Sequence, residues 1–347
     1  MPPPRIPPLL HPYVSLAPPD SLTLLTSVLG ASTNWLILRY ILGAFDTKGK
    51  NGDEAESSRL ASNGDVKVVL VSFLRDWDFW RTEARRSVGL DLTKLGVEGR
   101  FAFVDGLGEL FLREDGVVPA SASVTVSSSS PSGIPGRAPL AVTQNARGLS
   151  IRGKTQSALA QSSAEPSMKP KYIATLTSPD LAHVEQTIQS ALSSASSSSP
   201  SSPPSRTLLI LDDPSILLSA TLTPVHAFLS SLLHIRTLAA SSIISLPADS
   251  PLVHLTHTPT PLEREHANLV VGLGHTATRV VGLRLLDSGV ARDVSGVLCV
   301  GRGGAWDGDD EESGRENGVN LEKELLYYVG GDGGVKVFER GAGTNAG

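Results

Sequence analysis

Two acidic residues stand where an apolar run ends. Asp212 and Asp213 follow the residues "LLIL" at 208–211, a run short and apolar enough for a buried strand. A carboxylate at the end of such a strand is where a nucleotide hydrolase organises Mg²⁺. The alternative is the N-cap of a following helix, because Pro214 comes directly after the pair and suits a first helical turn. Both interpretations stay open at this point.

A second candidate site is a loop in the stretch "LTLLTSVLGASTNWLILRYIL" at residues 22–42. An apolar run, a turn at Gly30 and a helix-like run with Asn34 as its N-cap make the frame of a phosphate-binding P-loop. The motif G-x-x-x-x-G-K-[ST] is absent, since neither its second glycine nor its lysine follows Gly30. "GASTNW" still offers backbone N–H groups at a helix N-terminus, which makes a weak anion site. We therefore predict a phosphate-binding frame without the residues that hold phosphate.

Other patterns for catalysis or metal binding are weak. His254, His257 and His266 are close in sequence, but flanking prolines favour extended chain and no cysteine accompanies them, so solvated loop histidines are predicted. The sequence contains no G-x-S-x-G motif and no matched pair of catalytic carboxylates. We predict no catalytic, cofactor-binding or metal-binding residues, and no enzyme activity for the chain itself.

Aromatic and basic residues are interleaved in "FLRDWDFWRTEARR" at residues 73–86. Trp77 and Trp80 would share one face of a helix, with Arg81 and Arg85 beside them. Aromatic and arginine anchors are typical of contacts with a protein partner or with RNA. The alternative is a helix packed into the core by its tryptophans, with solvated arginines.

The elements that must position these residues alternate between strand and helix over the first two-thirds of the chain. Near-continuous apolar strands separated by amphipathic helices are typical of a parallel sheet covered on both faces. The last third contains four strand-like segments, two of them joined by the hairpin sequence "GGDGG". We predict an α/β fold with a mainly parallel twisted sheet, helices on both faces and antiparallel C-terminal strands.

Two serine- and proline-rich segments interrupt this pattern, at residues 116–168 and 193–205. Their composition buries too little apolar surface to fold. The sequence thus predicts a proline-rich arm at 1–12, one domain at 13–340 interrupted by the two loops, and a disordered tail at 341–347. The first loop contains four basic residues, Arg137, Arg147, Arg152 and Lys154.

Composition excludes some classes of function. The net charge of −5 argues against a globally basic nucleic-acid binder. One cysteine cannot form an internal disulfide, which fits a reducing compartment. The apolar stretch at 22–42 nearly has the length of a membrane span, but Gly30, Asn34 and Arg39 divide it, so a strand followed by a helix is predicted instead.

Four stretches, taken in order, resemble the fungal Elongator complex protein 6 family. The similarity runs over roughly residues 9–112 and 171–340 and leaves the two loops uncovered. The stretches are "LTSVLGASTNWLILRYIL", "VLVSFLRDWDFWRTEARRSVGLDL", "GRFAFVDGL" and "ARDVSGVLCV".

The resemblance implies a RecA-like, P-loop-NTPase-type fold without Walker motifs. It implies a non-catalytic subunit that joins Elongator proteins 4 and 5 in a heterohexameric ring, which attaches to the catalytic Elongator subunits. That complex modifies the wobble uridine of tRNA in cytoplasm and nucleus. The resemblance implies that the ring binds tRNA and that ATP hydrolysis by the assembled ring promotes its release. The four basic residues of the first loop, Arg137, Arg147, Arg152 and Lys154, are then candidates for a flexible tRNA contact. Two alternatives remain: an active ATPase with an unorthodox nucleotide site, and a stand-alone RecA-like binding module.

Overall fold

A computed structural model describes most of the chain outside the low-complexity segments. The described residues are 5–45, 66–110, 170–194, 206–286 without 222, 255 and 256, then 289, 291–306 and 322–340. The two predicted loops and the tail at 341–347 lie outside these ranges, except that residues 193 and 194 end a helix. In the described ranges, no helix is long and apolar enough to cross a membrane.

The ten strands of the described residues belong to one sheet. They are β1 (Ser21–Ser27), β2 (Lys67–Ser72), β3 (Phe101–Asp105), β4 (Ile173–Thr175), β5 (Thr207–Asp212), β6 (Ser241–Pro247), β7 (Arg279–Arg284), β8 (Gly296–Arg302), β9 (Lys323–Val329) and β10 (Val335–Glu339). Their order across the sheet is β10-β9-β8-β7-β1-β6-β5-β2-β3-β4. The strands from β7 to β4 in that order are parallel, and β8, β9 and β10 are antiparallel additions at one end.

Helices cover both faces of the parallel part. They are α1 (His11–Val14), α2 (Asn34–Phe45), α3 (Trp77–Ser87), α4 (Leu92–Val97), α5 (Leu181–Ser194), α6 (Ile216–Ala220), α7 (Val225–Thr237), α8 (Ser250–Val253) and α9 (Pro261–Thr276). The core on one face packs β-strand side chains against α1 to α4. The core on the other face packs them against α5, α6, α7 and α9.

This architecture is the α/β fold that the sequence predicts, with a mainly parallel sheet, helices on both faces and antiparallel C-terminal strands. The loop-bearing strand β1 lies inside the sheet, and only β6 separates it from β5, the strand that ends in Asp212. Every residue of β2 is buried, as expected of a parallel strand covered on both sides. The stretch at 22–42 forms β1 and α2, the strand and helix predicted for it.

Residues 5–12 differ from the predicted extended arm. Ile6 and Leu10 are buried in the core beneath α2, and α1 begins at His11. Two apolar side chains among the prolines are enough to hold this segment against the domain, because their burial offsets the ordering of a chain that proline already restricts.

Candidate functional site

Three polar side chains meet where β2, β5 and β6 approach their carboxyl ends. Ser72 is the register partner of Asp212, which is the partner of Ser245. Ser72 Oγ donates to Asp212 Oδ2 at 2.9 Å, and Ser245 Oγ donates to Oδ1 at 3.1 Å. All three residues are buried, and Asp212 is 0% exposed. Adjacent parallel strands thus place a carboxylate between two hydroxyl donors.

Arg75 provides the positive charge beside this carboxylate. Its Nη1 lies 3.3 Å from Asp212 Oδ2, and its side chain is 22% exposed. Its backbone N–H donates to Ser72 Oγ at 3.1 Å, which fixes the start of the chain after β2. The guanidinium carbon lies 5.2 Å from the ring centre of Phe79 and 5.9 Å from that of Trp80. The arginine is therefore oriented by β2 on one side and by two aromatic rings of α3 on the other.

The same guanidinium reaches the loop between β1 and α2. Its Nη2 donates to Ser32 Oγ at 3.3 Å, and Ser32 in turn donates to the side-chain oxygen of Asn34. The carbonyl of Thr33 accepts the N–H of Ile37 at 3.0 Å, so α2 is capped at Thr33, one residue before the predicted cap. Arg75 therefore links the strand that ends in Asp212 to the frame of the predicted phosphate loop.

Two N–H groups of the loop have acceptors within the protein. Leu29 donates its N–H to Asp249 Oδ1 at 2.7 Å, and Ala31 donates to the carbonyl of Val28 at 2.9 Å. Gly30 has φ +89°, a left-handed conformation that glycine adopts without strain. A carboxylate of the protein thus lies where this kind of loop would offer an N–H group to a phosphate.

Burial and the neighbouring hydrogen-bond donors have opposite effects on the pKa values of the two aspartates. Burial raises the pKa of Asp212, while Arg75 and the two serines oppose that rise. Burial also raises the pKa of Asp213, whose side chain accepts from Ser215 Oγ. Asp213 has φ +52°, which aspartate tolerates better than most residues. Its side chain also accepts a hydrogen bond from the backbone of Ser215, and Ser215 rather than Asp213 is the N-cap residue of α6.

Neither sequence interpretation of the acidic pair describes Asp212 fully. The lone pairs that a Mg²⁺ ion would use are engaged by Ser72, Ser245 and Arg75. In the described part of the chain, no cluster of three or more His, Cys, Asp and Glu side chains is placed to bind a metal ion. His254 and His257 are exposed, whereas His266 is buried and donates from Nε2 to the carbonyl of Pro247 at 2.8 Å.

The two tryptophans lie in packed positions. Trp80 is 0% exposed, so the hypothesis of a direct surface contact is corrected for this residue in favour of the packing alternative. Trp77 is half-buried against Phe103 and Tyr172, with ring centres 5.5 and 5.7 Å away. A tryptophan ring at this helix position is stabilised more by packing in the core than by contact with solvent. The spacing of Trp77 and Trp80 along the helix does not by itself show whether they face the core or an interface.

The predicted arginines have different positions. Arg81 and Arg85 are exposed on α3, so their role in a partner or RNA contact stays a prediction. Arg137, Arg147, Arg152 and Lys154 lie outside the described residues. The sequence analysis missed Ser72, Arg75, Ser245 and Asp249 as members of the site. Polar residues at the ends of strands were the available signal for Ser72 and Ser245.

Exposed leucines flank the polar centre at the edge where the parallel strands end, here called the carboxyl edge. Leu29 and Leu285 follow the neighbouring strands β1 and β7 and are 84% and 46% exposed. Leu74 and Leu107 follow the neighbouring strands β2 and β3 and are 44% and 37% exposed. The buried aspartate thus lies between two pairs of solvent-facing leucines.

Comparisons with known proteins give a structural neighbour and no family. No protein-family model matches the chain, and no curated protein matches it. Among solved structures, a KaiC-like protein of the hyperthermophilic archaeon Pyrococcus horikoshii aligns over 96% of both chains, with a TM-score of 0.48 and 12% identity.

Proposed function

We propose that this chain is a non-catalytic, RecA-like subunit of the Elongator complex. In this proposal it joins Elongator proteins 4 and 5 in a heterohexameric ring and supports modification of the tRNA wobble uridine. The stretches that resemble the fungal Elongator complex protein 6 family support it. Three of them form β1 with α2, β2 with α3, and β3, which are the elements that surround the carboxyl edge.

One observation carries the non-catalytic part of the proposal. Two groups that a nucleotide site would offer to its ligand, a strand-end carboxylate and a loop N–H, already have partners within the chain. Arg75 lies on the carboxylate that would face a metal ion, and the Asp249 carboxylate accepts a loop N–H that would face a phosphate. A nucleotide would have to displace both pairs, at a cost that neither a P-loop lysine nor a second glycine offsets.

The exposed leucines favour a role in assembly. Singly exposed leucines are ordinary, but two pairs along one edge make an apolar rim of the kind found at protein contacts. In a closed ring, each subunit covers part of its neighbour's surface. The proposal assigns this rim to a contact with a neighbouring ring subunit.

Light scattering with purified Elongator proteins 4 and 5 tests the assembly. We expect a stable heterohexamer with the unaltered chain and a loss of assembly with Leu29→Glu. Val97→Glu is the matched control, because Val97 is 77% exposed and lies at the end of α4, before the amino end of β3. Equal assembly of both variants would exclude the rim, and a chain that stays monomeric with both partners present would favour the stand-alone module.

Calorimetric titration with ATP and Mg²⁺ tests the closed centre. We expect no binding in the micromolar range by the lone chain. Micromolar binding that Arg75→Ala or Asp249→Ala abolishes would instead support the alternative of an active ATPase, since it would mean that these residues serve the nucleotide rather than replace it.

A further inference from the structure

The α3–α4 surface forms a groove of about 600 Å³ that is separate from the centre around Asp212. Three arginines, two threonines and one aspartate provide its polar lining: Arg81, Arg85, Arg86, Thr82, Thr93 and Asp91. Leu90 is the apolar residue of that lining. The side chains of this groove carry three positive charges against one negative charge, in a chain whose net charge is −5.

The charged side chains that line the groove differ in how many partners they already have within the protein. Arg86 is held in place, because it pairs with Glu83 at 2.8 Å and donates to the carbonyl of Gly331 at 2.6 Å. Asp91 caps α4 by accepting the N–H of Lys94 at 3.1 Å, which occupies one of its oxygens. The negative charge in the groove is thus engaged with backbone, and one arginine is rigidly fixed.

The other two arginines can turn toward a ligand. Arg81 pairs with Asp78 at 3.0 Å, with side chains 51% and 75% exposed, and an ion pair this exposed adds little stability. The side chain of Arg85 is exposed, and it makes no hydrogen bond or ion pair with another described residue. Residues four apart on a helix have Cβ atoms about 6 Å apart, so both guanidinium groups can contact one extended ligand.

This composition fits phosphate better than protein. The guanidinium fork matches phosphate oxygens in two places, and threonine hydroxyls are common phosphate donors. The centre of a protein interface is instead depleted in charge and built on apolar or aromatic anchors. The groove offers Leu90 alone as an anchor, because Trp77 and Trp80 pack inward. The dipole of α3 accounts for the cations in its last turn, Arg85 and Arg86, but not for the threonines that line the same groove, Thr82 on α3 and Thr93 on α4.

We propose that the α3–α4 groove binds the sugar–phosphate backbone of RNA through Arg81 and Arg85, with Arg86 and the threonines completing the cradle. The choice of tRNA as its ligand rests on the proposed function, whereas the groove itself is argued from the structure.

The test measures binding of a fluorescent tRNA transcript to the full-length chain over a range of salt concentrations, for Arg81→Ala with Arg85→Ala and for Arg264→Ala. Arg264 is the matched control, since it is an exposed arginine on α9, which covers the opposite face of the sheet. Loss of two phosphate contacts should make the slope of log K against log salt shallower by about 1.5. If the plots of log K against log salt for the unaltered chain and the double variant meet near 1 M salt, the double variant binds ~30-fold more weakly at 0.1 M salt. Circular dichroism checks that the double variant folds.

Unchanged affinity and slope in the folded double variant would overturn the proposal, as would an equal loss in Arg264→Ala. If tRNA binding survives but assembly with Elongator proteins 4 and 5 fails, the groove is a protein contact and the RNA proposal is wrong. If the chain never assembles with those proteins but the variant still loses tRNA, the groove stands and the proposed function falls.

Discussion

Removing Arg75 should destabilise the protein more than neutralising its partner Asp212. The two members of the pair differ in access to water, because the Asp212 side chain is 0% exposed and the Arg75 side chain is 22% exposed. After Arg75→Ala, a buried carboxylate keeps two serine hydroxyls but loses its only positive neighbour among the described residues. After Asp212→Asn, the arginine that remains can take its missing partners from water.

The magnitude follows from that asymmetry. Removing one member of a buried ion pair costs about 3–5 kcal/mol, and the two serine donors place Arg75→Ala near the lower end, at about 3 kcal/mol. Asp212→Asn should cost about 1–2 kcal/mol, the range for a polar group that loses a hydrogen bond. The double variant removes the unpaired charge, so it should be more stable than Arg75→Ala alone by about 1–2 kcal/mol.

The pH dependence gives an independent check. Burial raises the pKa of Asp212 above its ordinary value, so the folded state holds this proton more tightly than the unfolded chain does. The resulting stabilisation is complete below the unfolded pKa and is lost as pH rises through the folded pKa. Without Arg75 the folded pKa of Asp212 rises further, so the stability difference between the unaltered protein and Arg75→Ala should shrink as the pH falls through these folded pKa values.

Urea unfolding followed by far-ultraviolet circular dichroism, at pH 7.5 and at about pH 5, measures all three variants. Arg86→Ala is unsuitable as a control because it anchors Gly331, whereas the exposed Arg264→Ala should change stability by less than about 0.5 kcal/mol. Equal destabilisation by Arg75→Ala and Asp212→Asn, with no change between the two pH values, would refute the reasoning.

Two further predictions concern buried side chains. Trp80→Ala should cost about 3–5 kcal/mol, measured by thermal unfolding, while half-buried Trp77→Ala should cost less; the reverse order would contradict the packing described here. Burial lowers the pKa of Lys67 to about 8, so the stability of the unaltered protein should rise relative to Lys67→Met from about pH 8 to about pH 10.4. A flat difference in urea unfolding over that interval would be the contrary result.

The sequence predicted the elements well because local pattern determines them. Each strand is an apolar run of five to seven residues or a short tract before a helix, and "GGDGG" does join β9 to β10 in an antiparallel pair. The strand order across the sheet is not written in any local pattern. The helix around Trp80 was predicted, and the structure shows that Asp76 caps it by accepting the N–H of Phe79. Which of its faces is buried depends on the strand order.

The same limit explains why Asp212 was found and its partner was not. Arg75 is 137 positions away in the chain, and the two meet only because β2 and β5 are neighbours in the sheet. A rule that the ends of parallel strands lie along one edge would have grouped Ser72, Asp212 and Ser245. It would not have placed Arg75, which lies beyond its strand and is directed by the rings of Phe79 and Trp80.

The position of Trp80 connects the packing of α3 with the charge balance at Asp212. An arginine after β2 would ordinarily extend into water, where its side-chain entropy favours many conformations. The buried ring of Trp80 and the neighbouring ring of Phe79 lie close to its guanidinium and restrict it to the direction of Asp212. The backbone N–H of Arg75 is fixed as well, by Ser72 Oγ. A positive charge held in this way balances the buried carboxylate at the end of β5 from within the chain itself.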